Sequence, residues 1–306
     1  MILVAGEALV DLIPGPGGVL RPSLGGGPFN TAVALGRLEA PAGFLGRLST
    51  DGFGRMLDDR LAEAGVDRRY VLRGGAPTPL AVVQQDAEGS AEYTFYLTGT
   101  AYADLAPDDL PILGPEVKAL HLGTLALATN PPAGALEELM AREAGERLIV
   151  VDPNVRPGVA GDVNSYLRRF ESWLAVAHVV KLSAADAAWL YPGQGPKGVL
   201  DLLIERGTGL ALLTLGADGA IGQSRAGRGT SASPRVDVAD TVGAGDAFNA
   251  GVLWWLWHAG RLDAGASAAL GDMELDELLA FATIVAALQC SRAGASPPTL
   301  AEVRAF

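Results

Sequence analysis

Short apolar runs bounded by glycine, proline or acidic residues alternate along the chain with longer stretches of helical period. The runs fall at 2–5, 42–46, 118–122, 147–152, 178–182 and 209–215. The helical stretches fall at 29–38, 53–64, 133–144, 163–175, 197–206, 243–259 and 274–291. This alternation predicts strands joined by crossover helices, hence an α/β fold around a mostly parallel sheet. Asp51 is placed to cap the second helix and Gly65 to end it. One stretch breaks the rhythm: Leu80–Gln85, a polar turn at Asp86–Ser90 and Ala91–Tyr96 read as a β-hairpin. A second extended piece, about 11–24, carries Pro14, Gly15, Pro16, Gly17 and Gly18. These pieces, as segments 11–24 and 76–104, predict a small β lid on a single domain spanning 1–306, with no linker or internal repeat.

Composition narrows the classes. At 306 residues and 49% hydrophobic content the chain can bury a large core. A formal charge of −12 offers no basic surface to nucleic acid or to an anionic membrane, so any anionic ligand must be held by local loops. Cys290 is the sole cysteine and His121, His178 and His258 are scattered, which argues against disulfides and against Cys- or His-rich metal sites. Met1–Glu7 runs directly into a strand pattern without a signal peptide, and Val252–Trp257, the most apolar window, is far shorter than the ~20 residues of a membrane helix. A cytoplasmic protein is expected.

Residues 240–251, Asp-Thr-Val-Gly-Ala-Gly-Asp-Ala-Phe-Asn-Ala-Gly, stand where a polar loop turns into an apolar helix. Gly243 and Gly245 permit positive φ and close approach of a ligand, and free N–H groups at a helix start favour phosphate. Asp246, in the first turn, is placed to accept a proton from a hydroxyl attacking a bound phosphate. The plainer reading is a glycine turn with Asp246 as a first-turn acid worth roughly 0.3–1 kcal/mol. The full string resembles the C-terminal signature of the ribokinase-like (PfkB) carbohydrate kinases, and further motifs follow that family's order from Gly6 to Ala295. The resemblance implies a three-layer α/β/α ribokinase-like fold, an ATP-dependent sugar kinase, and Mg²⁺ bridging the nucleotide phosphates. In that reading Asp246 is the general base, and Gly243, Ala244, Gly245 and Asp246 supply N–H groups to the transferring phosphoryl.

Gly25-Gly26-Gly27-Pro28-Phe29-Asn30 precedes a helix, and a glycine-rich turn explains it nearly as well as a polyol site. Its position resembles the family's first signature, which implies that Gly26, Gly27 and Asn30 line the sugar site and that Asp11 binds two sugar hydroxyls. Asp152-Pro153-Asn154-Val155-Arg156 closes a strand, at the end where open α/β sheets bind ligands. It resembles the fructokinase and 2-keto-3-deoxygluconate kinase branches, implying a sugar contact for Asn154 and a phosphate contact for Arg156. Lys181-Leu182-Ser183-Ala184-Ala185-Asp186 lies where the family often has Asn-x-x-Glu around Mg²⁺. Lys181 and Ser183 would then lie at the nucleotide and Asp186 would reach Mg²⁺ through water, or Ser183 and Asp186 simply cap a helix. Thr214, Gly216 and Gly219 match the element along the nucleotide, and Thr283 replaces an asparagine beside the base. Asp240, Thr241 and the closing loop Ser291–Ala295 mark a place where some members bind a monovalent cation such as K⁺.

Fructose is the first expected substrate, with 2-keto-3-deoxygluconate, ribose or a nucleoside as alternatives. Leu97 stands where many relatives carry an arginine after the aromatic pair, which argues against a sugar acid. Tyr96, with Tyr93 and Phe95, is a candidate for stacking on the sugar. The rival reading from another class is a non-catalytic sugar sensor. An exposed apolar face on the lid favours a homodimer.

Overall fold

The structure, a computed structural model, describes residues 1–85 and 91–306, and the turn expected at 86–90 lies outside the described residues. Among the described residues thirteen strands are present: β1 Ile2–Ala5, β2 Leu9–Pro14, β3 Leu20–Gly25, β4 Ala42–Ser49, β5 Val71–Gly74, β6 Leu80–Gln85, β7 Ala91–Tyr96, β8 Ala119–Gly123, β9 Leu148–Asp152, β10 Val179–Ser183, β11 Leu210–Thr214, β12 Ala220–Ser224 and β13 Arg228–Ser231. Nine form one sheet in the order β13-β12-β11-β10-β9-β8-β1-β4-β5. Every pair is parallel except those on either side of β12.

The central strand β1 shows why this sheet reads as continuous apolar runs. Ile2 and Val4 enter one core with Phe29, Phe44, Phe248 and Leu253. Leu3 and Ala5 enter the opposite core with Leu136, Phe170 and Leu200. Helices Gly27–Arg37, Ala244–His258 and Asp272–Cys290 cover the first face, and Pro132–Glu143, Val163–Leu174 and Pro196–Glu205 the second. With both faces covered, polar alternation is lost. The result is the expected three-layer α/β/α arrangement. Helices Ala244–His258 and Asp272–Cys290 approach closely because Gly251 has no Cβ: one there would stand 2.7 Å from Ala282 Cα. Their contact brings the loop before residue 244 beside the loop after residue 290.

A smaller sheet, β3-β2-β6-β7, is built from residues 9–14 and 20–25 paired with 80–85 and 91–96. Residues 220–231, given no strand in the sequence reading, form the antiparallel edge pair β12–β13. Four glycines within 219–229 dilute its apolar pattern, yet Gly229 packs tightly under the helix at Leu275. No helix among the described residues is long and apolar enough to cross a membrane.

Candidate active site

The carboxyl ends of β8, β9, β10 and β11 deliver Thr124, Asp152–Arg156, Ser183 and Thr214 to one edge of the large sheet. Two cavities open there. The smaller, of ≈ 350 Å³, lies between that edge and the small sheet, with Asp11, Gly26, Gly27, Asn30, Asn154, Arg156 and Asp246 in its wall. The larger, of ≈ 1150 Å³, is lined by Gly216, Gly219, Arg235 and Thr283. Thr214, Thr241, Ala244 and Gly245 belong to both walls, so the glycine loop is the partition between the two. Gly243 caps the helix Ala244–His258 in the left-handed conformation, φ 76° and ψ 2°, where a side chain is strained. The Ala244 N–H, expected at the phosphoryl group, donates instead to the Thr241 carbonyl at 3.2 Å, and the Gly245 and Asp246 N–H groups stay free of protein acceptors among the described residues.

Asp246 is only 8% exposed and accepts a hydrogen bond from Asn30 Nδ2 at 2.8 Å. Burial pushes its carboxyl up to about 7, Asp152 adds to the rise, and Asn30, Lys181 and Arg156 oppose it. Asn30 is fixed by the first turn of the helix Gly27–Arg37, whose neighbour Thr31 Oγ1 donates to the Asp246 carbonyl at 3.4 Å. The two glycine signatures, more than 200 residues apart in sequence, thus meet through one carboxylate. Asp11, on β2, is raised to about 6 by burial, with Arg156 opposing.

Beneath the partition lies a buried charge network. Lys181 Nζ donates to Asp152 Oδ2 at 2.9 Å, and Asn249 Nδ2 donates to the same oxygen at 2.7 Å. Although burial alone lowers an amine's pKa, the charges of Asp152 and Asp186 hold Lys181 above its ordinary value. A Cβ on Gly245 would stand 3.2 Å from Lys181 Nζ, so the amine sits directly against the glycine loop. Arg156 is folded back on its own turn, Nη1 donating to Asn154 Oδ1 at 2.6 Å and to the Asn154 carbonyl at 3.1 Å.

Several expected residues are placed differently from one another. Asp186 does not line either cavity: its Oδ1 accepts from Val155 N at 2.7 Å and its Oδ2 from Ser183 N at 2.8 Å and Ser183 Oγ at 2.6 Å. Ser183 and Asp186 form a capping box for the helix Ala184–Leu190. Tyr96, expected at the sugar, is 57% exposed and absent from the cavity wall, whereas Tyr93 and Phe95 line it, stacked at 5.9 Å. The cause is strand geometry: 93 and 95 share one face of β7, and 96 is on the other. Thr283 Oγ1 donates back to its own helix, to the Leu279 carbonyl at 2.9 Å, which leaves little of its hydroxyl for a ligand. Asp240 accepts from Val242 N at 3.0 Å and Gly294 N at 2.9 Å, tying the glycine loop to the closing loop.

Three wall or support residues escaped the sequence reading. Glu7 is buried and accepts from Gly27 N at 3.2 Å and Ala126 N at 3.0 Å. Burial pushes its carboxyl up to about 7, against the pull of the Ala126 and Gly27 N–H groups. Thr124 holds φ 61° at the cavity wall, and a Cβ on Gly27 would meet its hydroxyl. Asn249 faces inward one turn after Asp246. None of the three carries a local signal, because their partners lie far along the chain.

Residues 2–302 match the protein-family model described as pfkB family carbohydrate kinase. The chain belongs to the PfkB family. This PfkB kinase is a sugar phosphotransferase, and its similarity to fructokinases extends through sequence and structure. It is 39% identical over 262 residues to a fructokinase of Rhizobium leguminosarum bv. trifolii, covering 83% of this chain and 78% of that protein. Among solved structures it is similar to the fructokinase with bound ATP from Xylella fastidiosa, at TM-score 0.90 and 30% identity over 99% of this chain and 97% of the other. It is also similar to the fructokinase of Vibrio cholerae O395 in its fructose-, ADP- and calcium-bound form, at TM-score 0.86 and 28% identity over 100% and 98% of the two chains.

Proposed function

We propose that this PfkB kinase transfers the γ-phosphoryl group of ATP to a primary hydroxyl of fructose. The observation that carries the proposal is Asp246, buried at the partition between a small cavity and a larger one, beside the unpaired Gly245 and Asp246 N–H groups of the helix start. Sugar occupies the smaller cavity and ATP the larger, with its terminal phosphate against Gly243–Asp246. Asp246 takes the proton from the attacking hydroxyl, and the loop N–H groups with Lys181 receive the phosphoryl charge.

Asp11, Asn30 and Asn154 bind the sugar hydroxyls, and Thr214, Gly216 and Gly219 border the nucleotide. The sugar wall sets three carboxyl groups, Glu7, Asp11 and Asp246, against Arg156 and Lys181, both held by protein acceptors, and Leu97 adds no further cation, so a sugar acid is disfavoured relative to a neutral ketose. Mg²⁺ enters on the nucleotide: among the described residues no group of three His, Cys, Asp or Glu could hold a metal, and Asp186 is committed to protein donors. When bound, the ion neutralises phosphate charge. The small sheet closes over the sugar and excludes water, keeping ATP hydrolysis without sugar slow. Its exposed Val19, Leu20 and Tyr96 support a homodimer through that sheet.

The test is ADP release from Mg-ATP with fructose, ribose, 2-keto-3-deoxygluconate, tagatose, adenosine and inosine, alongside Asp246→Ala. Turnover with fructose that the variant abolishes is the expected result. Turnover only with another substrate moves the assignment to it, and sugar binding without turnover points to the sensor.

A further inference from the structure

The glycine loop has a support that neither the sugar-kinase reading nor the cavity walls account for. Three acceptors converge where residues 239–243 meet residues 291–295: the Val242 carbonyl, the Gly294 carbonyl and the Asp240 carboxylate. Acceptors brought together in this way need a cation or a donor between them. Gln289, 1% exposed near the end of the helix Asp272–Cys290, supplies a donor. Its Nε2 donates to the Val242 carbonyl at 2.9 Å and to the Gly294 carbonyl at 2.6 Å, which uses both of its protons. A Cβ on Gly243 would stand 3.8 Å from Gln289 Cδ, so the amide lies directly behind the left-handed residue that opens the loop. The Ala239 and Asp240 N–H groups bond the Cys290 carbonyl, at 2.9 and 3.2 Å, so the same helix end holds both strands of the junction.

A monovalent cation, the ligand that Asp240 and the closing loop raised as an expectation, does not fit this arrangement. Gln289 Nε2 lies within 2.9 and 2.6 Å of the two carbonyls the ion would need, so the amide fills the ion's place and turns its positive N–H ends on those oxygens, and both Asp240 oxygens already accept backbone N–H groups. We propose that the Gln289 side-chain amide does the work of a bound monovalent cation at this junction, making Gln289 a positioning residue that fixes Val242 and Gly243 and frees the enzyme from K⁺. The inference rests on the glycine loop receiving phosphate, as in the sugar-kinase reading.

The experiment compares the wild type, Gln289→Ala and Gln289→Glu in K⁺, Na⁺ and tetramethylammonium at constant ionic strength. It reads Mg-ADP affinity by calorimetry, thermal stability, and kcat and KM with fructose. The wild type is expected to be indifferent to the cation in all readouts. Gln289→Ala is expected to lose roughly ten- to hundredfold in Mg-ADP affinity and kcat in tetramethylammonium, with little change in fructose KM, matching one lost buried bond pair. K⁺ restores much of that loss, because removing the amide exposes the carbonyls. Gln289→Glu sets a carboxylate against two carbonyls and is expected to gain K⁺-specific thermal stability.

A K⁺-specific gain in wild-type stability or Mg-ADP affinity overturns the proposal, and this measurement needs no variant to fold. A Gln289→Ala enzyme that matches the wild type in every cation overturns it too, as does a folded one that K⁺ does not restore. Mg-ADP binding is read without any sugar, so the failure of fructose as a substrate is distinguishable from the failure of this inference.

Discussion

Asp246→Asn keeps the shape of the buried side chain at the partition and removes its capacity to take a proton. Asn30 Nδ2, 2.8 Å away, retains an oxygen to donate to, so the fold of both glycine signatures is preserved. General-base action contributes about 10²–10⁴ in rate, which is about 3–5 kcal/mol of barrier at about 1.36 kcal/mol per decade. In the ADP-release assay kcat therefore falls by that factor while fructose KM changes little. With the wild-type carboxyl raised to about 7, the ionised base is lost as pH falls, so wild-type kcat/KM climbs through about pH 7. The residual activity of the variant lacks that limb.

Stability moves the opposite way. A carboxyl whose folded pKa lies above its unfolded value binds more protons when folded, so its native state is favoured at low pH and loses stability as pH rises from about 4 to about 7. The gap between the ordinary 3.8 and about 7 corresponds to a ceiling of about 4 kcal/mol. Asp246→Asn is accordingly more stable than the wild type above pH 7 by denaturant titration, and the difference shrinks toward pH 4. Near-normal turnover in a folded variant, or equal loss of stability at both pH values, refutes this reasoning.

Lys181→Met leaves Asp152 as a buried charge with only neutral partners and should cost about 3–5 kcal/mol of unfolding free energy, part of which returns in the double variant with Asp152→Asn. Denaturant titration of the three proteins checks it. Asp186→Asn weakens the capping box and the bond to Val155 N, and is expected to cost about 1–3 kcal/mol with the Mg²⁺ dependence of turnover unchanged. A shifted Mg²⁺ requirement would instead give Asp186 a role at the metal. Gly243→Ala forces a side chain into φ 76°, a strain of about 1–2 kcal/mol, and a contact 3.3 Å from Ala295 Cβ. Its effect should be larger on kcat and Mg-ATP affinity than on fructose binding measured by calorimetry.

Much of the fold was legible because burial on both faces of the large sheet leaves uninterrupted apolar strands, and the helices between them keep their period. β12–β13 was not, since Gly222 and Gly229 pack against Leu212 and against the helix at Leu275 and carry no apolar signal of their own. In the site, the glycine strings around 25–30 and 240–246 announced themselves, and the structure brings Asn30 to Asp246. Tyr96 was misplaced by one residue of strand period, which a motif without a known register cannot fix. Glu7 and Gln289 depend on partners 119 and 47 residues away, so their roles are written in packing and not in local sequence. Asp186 reads equally as metal ligand or cap until Val155 N is seen on its free oxygen.

The most direct test of phosphoryl transfer to a sugar hydroxyl is phosphorus NMR of the products formed from fructose and Mg-ATP by the wild-type enzyme. The account predicts ADP with one new phosphomonoester coupled to the protons of a primary carbon. ADP with inorganic phosphate alone, or a phosphate on a secondary carbon, would contradict it.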